Sequence, residues 1–281
     1  MAAADRYTSF PFARLFAVLF FILLLTCYQR PYVASLENHL SQESAHFAKA
    51  PSIKKKKVYL TFDDGPNRGT YNLLDIIRDE HVPVSFFIVG KRVFSSPERK
   101  RLWDEMKTLD QIELCNHSFY HAGGHYIKYY HLPDSVVKDF EQTNAELGLK
   151  NTIARTPGRN IWRVDSLHIT DVEASVAAAD SLQSAGFTLM GWDLEWHLNR
   201  KSLSLATSAQ EMIQEIDNAF KKNKTRCSDN LVILAHDKAF IDANDSTELR
   251  LFLQMLKQRT DFELSVVSDY PGAKRHYSHS N

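Results

Sequence analysis

The sequence predicts an α/β fold in which parallel strands alternate with helices. Three observations carry that expectation. The 281 residues are 44% hydrophobic and 24% charged, a composition that suits a globular protein with one large core. About seven short apolar runs rich in β-formers alternate with segments of helical spacing, which implies right-handed crossovers and a parallel sheet. Titratable and aromatic residues follow most of those runs, and in such folds ligands bind beyond the carboxyl ends of the strands. Periodicity leaves two forms open, a doubly wound sheet and a closed barrel.

The elements follow in order. Val58 to Phe62 is a short β-rich run. Tyr71 to Glu80 has helical spacing, with Leu73, Leu74, Ile76 and Ile77 on one side. Val84 to Val89 is a continuous apolar run ended by Gly90. Pro97 to Leu109 is charged and helical, with Ser96 as N-cap before a proline at the first helical position. Ile112 to Asn116 is strand-like, and Asp134 to Leu147 is a helix stopped by Gly148. Thr152 to Arg155 is a short strand, Val172 to Ser184 an Ala-rich helix, and Phe187 to Leu194 a strand. Ser208 to Lys222 is helical, Leu231 to Ala235 strand-like, Ser246 to Gln258 helical, and Phe262 to Val267 the closing strand. The strand runs lack polar alternation, so both faces are expected to be buried.

Composition excludes some classes of function. The chain balances 34 basic against 34 acidic residues, without the footprint of a nucleic-acid binder. Its three cysteines, Cys27, Cys115 and Cys227, make neither a disulfide scaffold nor a zinc ribbon, and no disulfide is expected between the last two. At the amino terminus, Arg6 and Arg14 precede the apolar run Leu15 to Leu25. That run is short for a membrane span and suits a secretory signal. Residues 1–30 are therefore expected to be a signal peptide or membrane anchor; Leu24 to Cys27 loosely resembles a lipoprotein cleavage site. Residues 31–57 read as a polar tether, 58–270 as one folded domain and 271–281 as a polar tail. The expected location is the cell envelope, periplasmic or membrane-anchored, or outside the cell.

The ends of the strand runs hold the chemistry. Asp63-Asp64-Gly65-Pro66 follows the first. Adjacent carboxylates repel unless a cation or shared proton offsets them, so the pair suits a metal; an acidic turn gives the same four letters. His117 and His121 follow the third run, four residues apart. Two histidines plus a carboxylate leave open positions on zinc, as catalysis requires, although two polar loop histidines are the plainer alternative. Arg155 and Pro157 follow the fourth run, and Trp192-Asp193-Leu194-Glu195-Trp196 ends the fifth. His236 ends the sixth, as either a capped structural residue or an acid facing the mouth.

Together these residues resemble the polysaccharide deacetylases of carbohydrate esterase family 4. Thr61 to Pro66 matches the family's TFDDGP, and His117 to His121 its H[ST]xxH. Arg155-Thr156-Pro157-Gly158, Trp192 to Trp196 and Leu234-Ala235-His236 are similar to its three later motifs, in the family's order. The resemblance implies a single catalytic domain folded as a distorted (β/α) barrel of about seven parallel strands. It implies that Asp64, His117 and His121 hold a divalent metal, zinc first, with cobalt or nickel interchangeable on the same ligands. Asp63 is then the general base, oriented by Arg155, and His236 the general acid, tuned by Asp193. Leu234 and Trp196 are expected to line the acetyl pocket, and the backbone N–H of Gly158 to hold the oxyanion.

The expected activity is hydrolysis of the N-acetyl group of an amino sugar in an acetylated poly- or oligosaccharide. An O-acetyl glycan esterase of the acetylxylan type is the alternative with the same residues; an inert carbohydrate-binding protein is the alternative of another class. The sequence departs from the family at Gly158, where relatives often carry an aromatic, and at Glu195 before Trp196. Tyr126, Tyr129 and Tyr130 are candidates to replace the aromatic, but are read first as a packed cluster.

Overall fold

The computed structural model describes residues 55–199 and 201–273. The expected signal or anchor over 1–30, the tether up to residue 54 and the tail from residue 274 lie outside the described residues. Among the described residues, no helix is long and apolar enough to cross a membrane.

Ten strands form one sheet. They are β1 (Lys56–Gly65), β2 (Val84–Ile88), β3 (Ile112–Asn116), β4 (Ile153–Ala154), β5 (Trp162–Val164), β6 (Leu167–Ile169), β7 (Thr188–Leu189), β8 (Leu194–Glu195), β9 (Asn230–His236) and β10 (Phe262–Leu264). The order is β6-β5-β7-β4-β3-β2-β1-β9-β8, with β10 beside the start of β1. The sheet is parallel except where β5 meets β6 and β7. The α/β architecture is as expected, but the sequence reading lacked the β5–β6 hairpin. Its strands have three residues each, too few to show a period. The tight link turns at Asp165, with φ 49°.

One expected strand, Phe187 to Leu194, is two. Thr188 N and Met190 N donate to Thr152 O and Ala154 O beside β4. Asp193 N and Trp196 N donate to Val232 O and Leu234 O beside β9. The segment changes partners between these points and so joins the two edges of the parallel sheet, closing it as a distorted barrel. Glycine is required in the crossing: a Cβ on Gly191 would lie 2.2 Å from Asn160 Oδ1 and 2.3 Å from Trp162 Nε1.

Eight α-helices flank the sheet: α1 (Arg68–Glu80), α2 (Gly90–Val93), α3 (Pro97–Met106), α4 (Tyr126–Tyr130), α5 (Pro133–Leu147), α6 (Val176–Ser184), α7 (Ala209–Lys221) and α8 (Ala243–Gln258). Their ends follow the local sequence. Ser96 caps α3 by accepting from Arg99 N, and Gly148 ends α5 in the left-handed conformation. Asn67 and Thr70 form a reciprocal capping box on α1, as do Ser208 and Glu211 on α7.

Strand periodicity decides which side chains reach the site. Val58, Leu60 and Phe62 of β1 pack outward with Val84, Phe86 and Ile88 of β2 and Leu231, Ile233 and Ala235 of β9, under the helices. The alternate residues Tyr59, Phe87, Cys115 and Val232 fill the interior. Continuing that interior row upward gives Thr61 then Asp63 on β1, His117 just past β3, and Leu234 then His236 on β9. Cys115 is buried in that row and Cys227 is half-buried before β9, with no disulfide between them.

Candidate metal centre

The interior row ends at a cavity of about 270 Å³ at the carboxyl ends of the strands. Asp64, His117 and His121 meet there, each offering a ligand atom within 4.8 Å of the others. Asp64 Oδ1 lies 3.1 Å from His121 Nε2 and 3.9 Å from His117 Nε2. His117 donates from Nδ1 to the carbonyl of Arg155 at 2.8 Å, which leaves Nε2 as the lone-pair nitrogen facing Asp64. Burial pushes the His117 pKa down to about 4, against the opposing pull of Asp63, so the ring is neutral at pH 7 and able to ligate. Burial alone would raise the Asp64 pKa, but His121, His117 and Arg92 together hold that carboxyl well below the usual range.

Two features fit this triad to a cation. Asp64 Oδ1 is buried and accepts no hydrogen bond, a costly state for a carboxylate that a divalent ion would relieve. Asp64 and His121 also hold left-handed backbone conformations, with φ 81° and 54°. Such strain in non-glycine residues persists where the surroundings over-determine it, often at functional sites. Two imidazoles and one carboxylate are ligands that suit zinc.

Asp63 sits beside the triad. Its Oδ1 accepts from Arg155 Nη1 at 2.7 Å and its Oδ2 lies 3.6 Å from His117 Nε2. Arg155 is buried and fully engaged. Its Nη1 also donates to Thr61 Oγ1, its Nε to Met190 O and its Nη2 to Gly191 O, at 2.8 to 3.0 Å. It lies over the Phe87 ring at 4.0 Å. Arginine therefore orients Asp63 and also satisfies the carbonyls at the point where the chain crosses between sheet edges.

His236 is in register with Asp63 across β9 and β1, so both side chains leave neighbouring strands on the interior side. Gly158 and Leu234 line the same cavity. Gly158 has φ 62°, and its N–H makes no hydrogen bond among the described residues.

Two expected site residues are elsewhere. Asp193 does not reach His236: its Oδ1 accepts from Arg226 N and its Oδ2 from Val232 N, both at 2.8 Å. Val232 is four residues before His236 on β9, so Asp193 braces the lower part of the strand. Burial raises its pKa to about 6, against those two N–H donors. Trp196 is wholly buried, its Nε1 donating to Thr207 O and its ring packed on Phe240 and Phe252, so it belongs to the outer core. One position separates each of these from a lining residue: Glu195 and Trp192 face the cavity instead. Strand alternation would have assigned these faces, had the partner change at 190–193 been visible.

The sequence reading missed Lys238, Arg92 and Asp237 as neighbours, whereas Tyr126 was one of its three candidates for the wall left bare by Gly158. Tyr126 lines the cavity, with its ring 3.0 Å from where a Cβ on Gly158 would be. It therefore occupies the wall that the glycine leaves bare, while Tyr129 and Tyr130 are packed, hydrogen-bonded to Asp139 and Pro157 O. Lys238 stands on the opposite rim. Arg92 donates to Asp64 O. Asp237 is fully buried, accepting from Asn67 Nδ2 and from Thr70 Oγ1, so it ties the end of β9 to the start of α1, just after Asp63 and Asp64. Burial, helped by the Asp64 charge, raises its pKa to about 7 against the opposing pull of Thr70, Arg92 and Asn67. The dipeptide His236-Asp237 is the one signal that pointed there.

Comparison with known proteins agrees with this geometry. Residues 50–161 match the family model for polysaccharide deacetylase. Over that stretch the chain is similar to the polysaccharide deacetylase family. Among curated relatives, YheN of Bacillus subtilis, named as a polysaccharide deacetylase, is 24% identical over 235 residues, covering 80% of this chain and 71% of that one. Among solved structures, the catalytic domain of a peptidoglycan N-acetylglucosamine deacetylase from Eubacterium rectale superposes with a TM-score of 0.54 at 19% identity, covering 75% of this chain and 88% of that one. A carbohydrate esterase family 4 pseudoenzyme from Bacillus anthracis does so with a TM-score of 0.52 at 15% identity, covering 79% and 68%. These two likenesses are of fold.

Proposed function

We propose that this chain is a metal-dependent hydrolase that removes the N-acetyl group from an amino sugar of an envelope or extracellular polysaccharide. The observation that supports it most is the convergence of five groups from three strand ends on one cavity: Asp64, His117 and His121 around an unpartnered buried oxygen, with Asp63 and His236 beside them. A divalent metal on the triad, zinc by its ligand set, would supply Lewis acidity, lowering the pKa of water and polarising the acetyl carbonyl.

The chain's own groups would do the rest. Asp63, held by Arg155, accepts the proton of the attacking water. The N–H of Gly158 donates to the oxygen that gains charge. His236 protonates the departing sugar nitrogen, which an amide needs more than an ester does. Glu195 lines this cavity, whereas Asp193 does not. Leu234 and Trp192 bound the space for the acetyl group.

The test is acetate release from an N-acetylglucosamine oligomer and from an O-acetylated xylan oligomer, with and without chelator. Release from the first, abolished by chelator and restored by zinc, is the expected result. Asp63→Asn should abolish turnover and keep the metal, while His117→Ala should lose both. Release from the xylan oligomer alone would make the chain an O-acetyl esterase. Glycan binding without acetate from either oligomer would leave an inert binding protein. The envelope location rests on the apolar run Leu15 to Leu25, and recovery of the full chain in the cytosolic fraction would refute it.

A further inference from the structure

A second groove leaves the metal centre past His121, which lines both spaces. It measures about 370 Å³, somewhat more than the cavity beside the triad. One wall is cationic: Lys91 and Arg92 of α2, and Arg99 of α3. The other is Tyr120 and the bare backbone of Gly123 and Gly124, where an added Cβ would meet nothing within 4 Å.

These cations are under-compensated. No carboxylate is among the residues that line this groove. Arg92 lies 3.7 Å from Asp64 Oδ1 and hydrogen-bonds Asp64 O. Arg99 donates only to Ser95 Oγ, and Lys91 Nζ stands 5.4 Å over the Tyr120 ring. Among the described residues, neither Lys91 nor Arg99 forms a salt bridge. On the far side of α3 the pattern is different, since Lys100 and Lys107 both pair with Asp104 at 2.6 and 2.9 Å. The whole chain has no net charge, so the excess at the groove is local.

Tyr120 is 51% exposed, a flat apolar face beside a polar wall, the kind of surface on which a ring with apolar faces and polar edges can rest. We propose that this groove holds the sugar next to the one that reacts, and that it selects an acidic sugar, bearing a carboxylate or a phosphate, over a neutral one. The sugar ring would lie on Tyr120 with its anionic substituent toward Lys91 and the open fork of Arg99. This inference rests on the deacetylase reading for its register, but the groove's preference for an anion can be measured as binding alone.

The test uses the full chain and three tetrasaccharides of equal length. One is N-acetylglucosamine throughout, one alternates N-acetylglucosamine with N-acetylmuramic acid, and one is the first carrying 6-phosphates. Calorimetric binding at low salt is expected to be about five- to tenfold tighter for the acidic sugars, the product of two exposed charge contacts worth roughly threefold each. High salt should erase the preference, and so should Lys91→Gln with Arg99→Gln. A preference confined to the muramic or to the phosphorylated sugar would support the groove and identify its anion. Equal affinities, a preference that survives the double substitution, or no binding of any of the three would overturn it. Acetate release scored in the same samples separates the two ideas. Preference without acetate refutes the deacetylase and keeps the groove; acetate without preference does the reverse.

Discussion

Replacing Arg155 by methionine tests the centre of the fold and of the chemistry at once. The guanidinium makes four hydrogen bonds, to Asp63, Thr61, Met190 O and Gly191 O, and stacks on the Phe87 ring. Methionine keeps much of the volume and the contact with Phe87, but leaves Asp63 buried without its charge partner. Breaking a buried pair from one side costs about 3–5 kcal/mol, and the two carbonyls left without donors add roughly 1 kcal/mol each. A loss near 6 kcal/mol is a large part of the ~5–15 kcal/mol that holds a typical domain folded. With a urea dependence of about 2–3 kcal/mol per molar, the midpoint should fall by roughly 2 M. The assay is urea unfolding of the wild type, Arg155→Met, Asp63→Asn and the double variant. The double variant should lose less than the sum of the singles by about 2 kcal/mol or more, because the partner charge is gone as well. A midpoint within about 0.3 M of wild type for Arg155→Met, or additive losses, would refute the view that one arginine holds both Asp63 and the crossing segment.

Other outcomes follow from single residues. A Cβ on Gly69 would lie 1.8 Å from the backbone oxygen of Asp237, which cannot swing aside, so Gly69→Ala should cost at least ~3 kcal/mol; a melting temperature unchanged within error would show that the loop gives way. Asp193 has a folded pKa of about 6 against 3.8 for an ordinary aspartate, so between those pH values the folded chain keeps a proton that the unfolded chain has released. Its contribution to stability is therefore present below the unfolded pKa, is lost as pH rises to about 6, and is level above. The wild-type-minus-Asp193→Asn difference in unfolding free energy should fall across that window, and a flat difference would place Asp193 in water. Trp196→Phe should lower the denaturation midpoint with little change in kcat/KM, whereas Trp192→Ala should raise KM; the reverse pattern would return Trp196 to the acetyl pocket.

Much of this was legible in sequence because strand ends carry the chemistry in a parallel α/β fold. The two triad stretches, Asp64 and the His117/His121 pair, are local motifs on either side of well-marked strands, β1 and β3. Gly65-Pro66 marks where β1 stops, and the apolar run of β9 marks the strand that His236 ends, while the side it faces came only with the register against β1. The failures lie where regular alternation breaks. Residues 188–195 exchange one hydrogen-bonding partner for another, so a count by twos from either end misassigns Asp193 and Trp196. Strands β5 and β6 are too short for a period. Tyr126 and Arg92 arrive from elements far from the other site residues in sequence, and no spacing rule announces such meetings; Asp237 and Lys238 follow His236 directly, but nothing local says what they touch. The amphipathic helices were simpler: the side of α1 with Leu73, Leu74, Ile76 and Ile77 is buried because each turn repeats the same face.

The pairing of Asp63 with His236 across β1 and β9 has a consequence for how such a site can breathe. Each belongs to a ladder that runs seven registered pairs back into the interior, from Lys57 opposite Asn230 onward. The proposed proton acceptor and proton donor are thus mounted on one stiff plate and travel together. His121 is anchored differently, in a short turn beyond β3 with Ala122, Gly123 and Gly124 all left-handed. Any widening that lets product depart without disturbing acid and base would have to hinge there, at the one ligand whose chain has already left the sheet.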